Sequence, residues 1–318
     1  MKKNIFITAI GGDIGQSVLK CLRENLPESI LYGSDSDNFA ASRDEVKNFY
    51  ISPFPDGDDY ADFIRKVVKE NDIDYIVPIS EKEIIWFTKH KDILNGTKVK
   101  IVANRDSIVE TFADKFIAAQ FFERNGVKHP RTFLARDYTG ELKYPFILKK
   151  RLGCGGKGMI KVESGQSCDI SDYRFKDYVV QEYVPDDCPE YTVAVFSDGK
   201  KMEHIAFKRR LGYGSLTKVA ELVKVDAMRE ISLKLAKHIG LKGSINLQFR
   251  KIGEEYVLLE INPRLSSTVY LRNYFGFTDI KWWLDLLEGK SFSYVPKYRS
   301  GVAVRRVAEI FFDIKPLV

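Results

Sequence analysis

The chain has little of what usually marks a metal or redox centre: its 318 residues include four cysteines and four histidines. Cys21, Cys154, Cys168 and Cys188 form no CxxC pair, which excludes a zinc ribbon, a thioredoxin-type dithiol and a disulfide framework, and suits a reducing cytoplasmic compartment. His90, His129, His204 and His238 show neither metal-ligand spacing nor a catalytic triad. No apolar run reaches the length that spans a bilayer, and the short run over residues 5–10 stops at Gly11, so neither secretion nor a membrane partner is expected. Charge of one sign is lacking too. Fifty Lys plus Arg against forty-four Asp plus Glu leave +6, mixed along the chain, which admits an anionic small ligand and demands no nucleic acid.

Two nucleotide signatures are incomplete. Lys157 is followed by Gly158, so there is no Walker A motif, and Ile10 stands where a GxGxxG turn needs its first glycine, although Gly12 and Gly15 fit the other two. A nicotinamide cofactor is therefore not expected. Residues 10–15 read as a tight strand-to-helix turn, and Asp35 as a strand-end residue rather than a ribose ligand.

What is present describes a globular protein of two domains: 44% hydrophobic, 30% charged and 13% aromatic residues. The first hundred residues alternate strands near 4–10, 30–32, 75–79 and 99–103 with helices over 16–25, 62–71 and 82–94, which predicts a mostly parallel α/β sheet. Ser80-Glu81 falls just past a strand's C-terminal end, where such sheets place ligands, making Glu81 a candidate substrate contact. Residues 142–150 read as a strand with Lys149 near its end, leading into a loop with Gly153, Gly155, Gly156 and Gly158. Free N–H groups of such a loop fold over phosphate oxygens, and a lysine emerging beside it neutralises their charge.

The strongest signal lies in residues 242–264. Two alternating strands joined at Gly253 place Asn246 and Gln248 on one face of the first, and Glu260 and Asn262 on one face of the second. Four oxygen-bearing side chains thus converge, a hard-donor set suited to Mg²⁺ with phosphate oxygens completing its shell. Pro263 ends the strand and Arg264 places a fixed cation beside it.

These strings, taken in order, resemble the ATP-grasp superfamily, most closely the ATP-binding half of carbamoyl-phosphate synthase large subunits and related carboxylate–amine ligases. The motifs are Ala113-Asp114-Lys115 in a helix, the strand to Lys149, the glycine loop, residues 180–184, Glu190-Tyr191-Thr192, residues 244–248 and Glu260-Ile261-Asn262-Pro263-Arg264. The resemblance implies a Rossmann-like parallel sheet over residues 1–104, an ATP-grasp N-lobe over 105–180 and a C-lobe over 181–318, an α/β fold overall with α+β character in its C-terminal part. It implies ATP and Mg²⁺ or Mn²⁺, two ions, as cofactors. By the same resemblance Lys115 and Lys149 reach the nucleotide phosphates, Glu182, Tyr183 and Val184 meet the adenine edge, Glu190 binds the ribose, Gln248, Glu260 and Asn262 hold the metal, and Arg264 contacts the acyl phosphate. Arg210 and Lys218, in a basic glycine-interrupted segment, are candidates for the carboxylate substrate. The expected activity joins a small carboxylate to an amine through an acylphosphate, and the length suits one such unit. A non-catalytic ATP-binding protein that kept the cleft is the alternative. A homodimer is compatible with an exposed aromatic surface around Trp282 and Trp283.

Overall fold

The computed structural model describes residues 2–153, 158–166, 168–170, 172–212, 216–306 and 308–312. Gly155 and Gly156 of the expected glycine loop lie outside the described residues. Chain order begins β1 (Asn4–Ile7), α1 (Asp13–Asn25), β2 (Ile30–Asp35), β3 (Phe49–Ile51), α2 (Tyr60–Asn71), β4 (Tyr75–Val77), α3 (Glu81–Lys89) and β5 (Lys100–Ile101). These strands form a five-stranded parallel sheet ordered β3-β2-β1-β4-β5. The alternation is the expected one, with β3 added at an edge.

The turn after β1 explains the missing glycine. Ile10 is fully buried, and a Cβ on Gly33 of β2 would come within 2.5 Å of its Cδ1, so the isoleucine fills the space over the sheet. Gly15 must lack a side chain because a Cβ there would sit 2.4 Å from the Ala9 carbonyl oxygen. The Gly11 N–H donates to Asp35 Oδ2 at 2.8 Å, so that carboxylate is spent on the turn.

The chain continues with α4 (Asp106–Ala113), α5 (Lys115–Arg124), β6 (Thr132–Leu134), β7 (Phe146–Lys150), β8 (Ile160–Val162) and β9 (Tyr178–Glu182). The last four strands form an antiparallel sheet ordered β6-β9-β7-β8. Asp114 is not inside a helix as expected; it separates α4 from α5 and caps the latter, accepting from the Phe116 and Ile117 N–H groups. A carboxylate that binds the free N–H groups of a helix start competes with helix continuation, which is why the break falls there.

The third sheet comprises β10 (Glu190–Ser197), β11 (Met202–Leu211), β12 (Thr217–Val223), β13 (Gly243–Ile252), β14 (Glu255–Asn262) and β15 (Val302–Val304), with α6 (Asp226–His238), α7 (Val269–Tyr274) and α8 (Asp279–Leu287) packed around it. Its order is β14-β13-β10-β11-β12-β15, antiparallel throughout. Period two divides its residues between two cores. Val193, Val195, Ala206, Ile245, Leu247 and Phe249 pack with Phe112, Phe122 and Leu235 of α4, α5 and α6. Ala194, Phe196, Ile205 and Phe207 join Ile5 of β1, Leu19 and Leu22 of α1 and Trp282 and Trp283 of α8 in another.

Both tryptophans are buried, at 5% and 2% exposure, and this removes the aromatic surface on which a dimer was expected. They are core residues because α8 turns its apolar stripe onto β13 and the underside of β10. One buried ion pair fixes this region. Arg272 and Asp279 are both fully buried; Arg272 Nη2 reaches Asp279 Oδ2 at 2.5 Å, its Nε reaches Oδ1 at 3.0 Å, and Ser244 of β13 donates to Oδ2 at 2.6 Å. Arg272 Nη1 also holds Ser266 Oγ at 2.8 Å, tying down the segment that follows β14.

Removing one partner of a buried pair strands the other charge, so Asp279→Asn should lower unfolding stability by about 3–5 kcal/mol in urea titrations. An unchanged midpoint would show that the pair is dispensable.

Candidate active site

A cleft of about 410 Å³ opens where the three sheets meet, and most of the expected site residues line it. From the middle sheet come Lys149 and Ile147 of β7 and Glu182, Tyr183 and Val184 at the end of β9; from the helix start comes Lys115; from the large sheet come Glu190, Gln248, Glu260, Asn262 and Arg264. Glu81 enters from the parallel sheet, and Gly153 from the mouth of the glycine loop. Gly158 has φ +77° but does not line the cleft.

Antiparallel register makes the metal-type cluster. Gln248 stands opposite Glu260, and Asn246 opposite Asn262, while their neighbours Leu247 and Ile261 turn into the opposite core. Asn262 Nδ2 donates to Glu260 Oε1 at 2.9 Å, which turns the Asn262 oxygen away from that carboxylate and leaves it as a donor atom. Of the four oxygen-bearing side chains expected to converge, Asn246 does not line the cleft. It is 1% exposed, and its Oδ1 accepts from Thr192 at 2.8 Å. The remaining set is one carboxylate and two amide oxygens; among the described residues no group of three His, Cys, Asp or Glu side chains is placed to hold a metal. Hard oxygens with a single negative charge fit Mg²⁺ that keeps phosphate and water in its shell, and fit poorly a resident zinc or iron.

The side of the cleft lined by Lys115 and Lys149 is cationic. Lys115 is the first residue of α5, fixed by the Asp114 cap, and its Nζ donates to the Gly153 carbonyl oxygen. Asp114 in turn pairs with Arg151 Nε at 2.7 Å, so helix start and loop mouth move together. The Lys149 ammonium makes no hydrogen bond or ion pair among the described residues. The residue is partly exposed, yet protein atoms crowd its ammonium enough to push its pKa down to about 8; Glu260 opposes this shift, and Lys115 reinforces it.

Glu190 is tied up more than the sequence suggests. Arg209 donates to its Oε1, through Nε at 2.8 Å and through Nη2, and Arg250 Nη2 reaches its Oε2 at 3.3 Å. Arg209 Nη2 continues to Gln248 Oε1 at 2.7 Å, and Arg250 Nη1 to the Val184 carbonyl oxygen at 2.7 Å. A hydrogen-bonded chain therefore runs from the strand end at Val184 through Glu190 to Gln248.

Arg210 and Lys218 are placed otherwise than expected. Both are exposed and neither lines the cleft. On β11, Arg209 shares the parity of Ile205 and Phe207, which face the parallel sheet, whereas Arg210 shares that of Ala206 and points away. Lys218 lies over Gly212 at the start of β12. Arg209 and Arg250 were overlooked because a strand's parity cannot be assigned from charge; the apolar alternation from Ile205 through Phe207 was the available signal. Asp13, Ser266 and Ser267 also line the cleft unannounced.

Glu81 is the first residue of α3, after Ser80, whose hydroxyl and the Glu83 carboxylate form a reciprocal cap. Burial pushes the Glu81 carboxyl up, against the pull of Arg264 and then Lys115. Arg264 donates through Nη1 to the Leu265 carbonyl oxygen at 3.0 Å, while its buried Nε has no partner among the described residues.

Residues 174–310 match the family described as ATP-grasp in the biosynthetic pathway with Ter operon, and residues 5–102 match the PylC-like N-terminal domain. A tyramine–L-glutamate ligase of Methanocaldococcus fervens is 25% identical over 240 residues, covering 73% of each chain. The carbamoyl phosphate synthase large chain of Campylobacter jejuni is 21% identical over 266 residues; 76% of this chain aligns with only 24% of that one, so this chain spans about a quarter of that relative's length. In structure, biotin carboxylase from Campylobacter jejuni, solved with a β,γ-ATP ligand, superposes with a TM-score of 0.72 at 18% identity, over 92% of this chain and 72% of that one.

Because the native Lys149 has its pKa near 8 and the unfolded one near its ordinary 10.5, the folded chain binds fewer protons between those values, and stability rises with pH across that window. Below it the crowded ammonium is charged and costs stability, which an anion would restore. Polyphosphate binding should therefore take up a proton at pH 8–9 and weaken above it. Calorimetry in buffers of different ionisation enthalpy checks this, and Lys149→Met should abolish the uptake.

Proposed function

We propose that this chain, an ATP-grasp protein with a PylC-like N-terminal domain, is an ATP- and Mg²⁺-dependent carboxylate–amine ligase working through an acylphosphate. The observation that carries the reading is the convergence, in one cleft, of two lysines beside a glycine loop, the Gln248-Glu260-Asn262 oxygen set and Arg264. The division into residues 1–104, 105–180 and 181–318 is part of the same proposal.

ATP enters with its base against Val184 and Ile147 and its phosphates toward Lys149 and Lys115. Gln248, Glu260 and Asn262 would hold Mg²⁺, which when bound neutralises the phosphate oxygens and polarises the transferred group. Lys115 and Lys149 spread the charge that develops as a carboxylate oxygen attacks the γ-phosphorus and ADP departs. The amine lone pair then attacks the acyl carbon, the carbon–oxygen bond to phosphate breaks, and the nitrogen's surplus proton leaves with the phosphate. Arg264 holds the carbonyl oxygen while it carries negative charge. Crowding around Lys149 strengthens this: an ammonium short of water gains more from a phosphate than a solvated one does.

Phosphate release should require ATP, Mg²⁺, a carboxylate and an amine together. Glu260→Ala should lower turnover about a hundredfold or more and abolish the Mg²⁺ dependence of nucleotide binding. No phosphate release with any pairing of amino acids and amines, or an unaffected Glu260→Ala enzyme, would sink the reading.

A further inference from the structure

The parallel-sheet wall of the cleft carries charge of the opposite sign to the phosphate side. The Glu81 carboxylate lines the cleft from the first turn of α3 and makes no hydrogen bond or ion pair among the described residues, although the charges of Arg264 and Lys115 act on it. Its neighbour two positions on shows the contrast. The Glu83 carboxylate is buried and fully engaged, accepting from Thr8 Oγ1 at 2.8 Å, Tyr60 O–H at 2.9 Å and Ser80 Oγ at 2.7 Å. Glu83 locks the helix start to β1 and α2, and Glu81 is left pointing at the cleft with its position fixed and its oxygens unmatched. Asp13, the first residue of α1, lines the same cleft, and its buried Oδ2 has no donor among the described residues.

A crowded carboxylate without donors is unfavourable, and the shortfall is met by a ligand that brings N–H groups and positive charge. An anionic ligand would make it worse. The start of α1, where a helix would ordinarily welcome a phosphate, presents the Asp13 carboxylate instead, and the adjacent Gly11 N–H is already taken by Asp35.

We infer that Glu81, with Asp13 as a second negative charge, forms a subsite for a protonated amine, so that the acceptor of the ligation enters as an ammonium ion on the parallel-sheet side and is not a phosphorylated molecule. The inference rests on the ligase reading above. It also assigns a direction to the reaction: the carboxylate substrate lies on the Arg264 side and the amine faces it from Glu81, with the acyl carbon between them. The ammonium gives one proton to solvent before attack and the second to the departing phosphate, so atoms and charge balance without a further reactant.

The experiment separates acyl activation from amine capture. Wild-type protein, Glu81→Gln and Glu81→Asp are incubated with ATP, Mg²⁺ and a panel of common L-amino acids as carboxylates. The nucleophile is hydroxylamine, small and largely uncharged near neutral pH, or a cationic amine (tyramine, 1,4-diaminobutane), or phosphoethanolamine. In Glu81→Gln the KM for the cationic amine should rise about tenfold to a hundredfold relative to any change in the KM for hydroxylamine, with partial recovery in Glu81→Asp. Phosphoethanolamine should be a poor acceptor for wild type. Equal loss of hydroxamate and amide in Glu81→Gln would put Glu81 on the acyl side and overturn the subsite, as would an unchanged KM or preferred use of phosphoethanolamine. A wild-type protein that makes no hydroxamate from any carboxylate would overturn the ligase reading itself.

Discussion

The crowded Lys149 ammonium, which makes no hydrogen bond or ion pair among the described residues and has Glu260 as its opposing charge, is the constraint around which the cleft is organised. Lys149 is the penultimate residue of a strand whose preceding residues, Phe146, Ile147 and Leu148, are buried, so the backbone delivers it to the cleft. Lys115 adds a like charge from the α5 start. Such repulsion persists only where the surrounding structure holds both groups in place. The Asp114 cap, its pairing with Arg151 and the backbone bond from Lys115 N–H to the Arg151 carbonyl oxygen at 3.1 Å do that for one edge. The free chain is in effect wound against a charge that a polyphosphate relieves.

The opposite edge is held by arginines that spend their charge internally. Arg250 links the Val184 and Pro185 carbonyl oxygens to Glu190, and Arg209 links Glu190 to Gln248. The Val184 end of the cleft and its Gln248 end are therefore joined by one hydrogen-bonded chain. Beneath them, the Arg272–Asp279 pair with Ser244 and Ser266 keeps the segment after Asn262 in register with β13. Guanidinium groups suit these posts because they stay charged and donate in a fixed plane.

Much of this was legible before the fold was known, for a stated physical reason. A β-hairpin with strict alternation declares which residues share a face, so Gln248, Glu260 and Asn262 could be grouped from spacing alone, and the glycine loop between β7 and β8 announced itself by composition. What stayed hidden depended on relations across the chain. Consecutive Arg209 and Arg210 look alike until the register of β11 against β10 assigns one to the cleft. Arg272 and Asp279, seven positions apart, drew no reading from the sequence because nothing local says that both are enclosed. An exposed aromatic surface was expected around Trp282 and Trp283, and packing of α8 puts both in the core instead. Asn246 has the right parity but lies too deep, a matter of depth that periodicity does not encode.

The reciprocal cap at the start of α3 has a consequence for how such a protein changes over generations. Because Ser80 and Glu83 secure the helix start between them, the carboxylate at position 81 is not needed for the cap. Stability and selectivity are thus written into separate codons on one helical turn. On the amine subsite proposed for Glu81, a lineage can exchange the residue at 81, and with it the molecules accepted, while the Ser80–Glu83 cap stays in place.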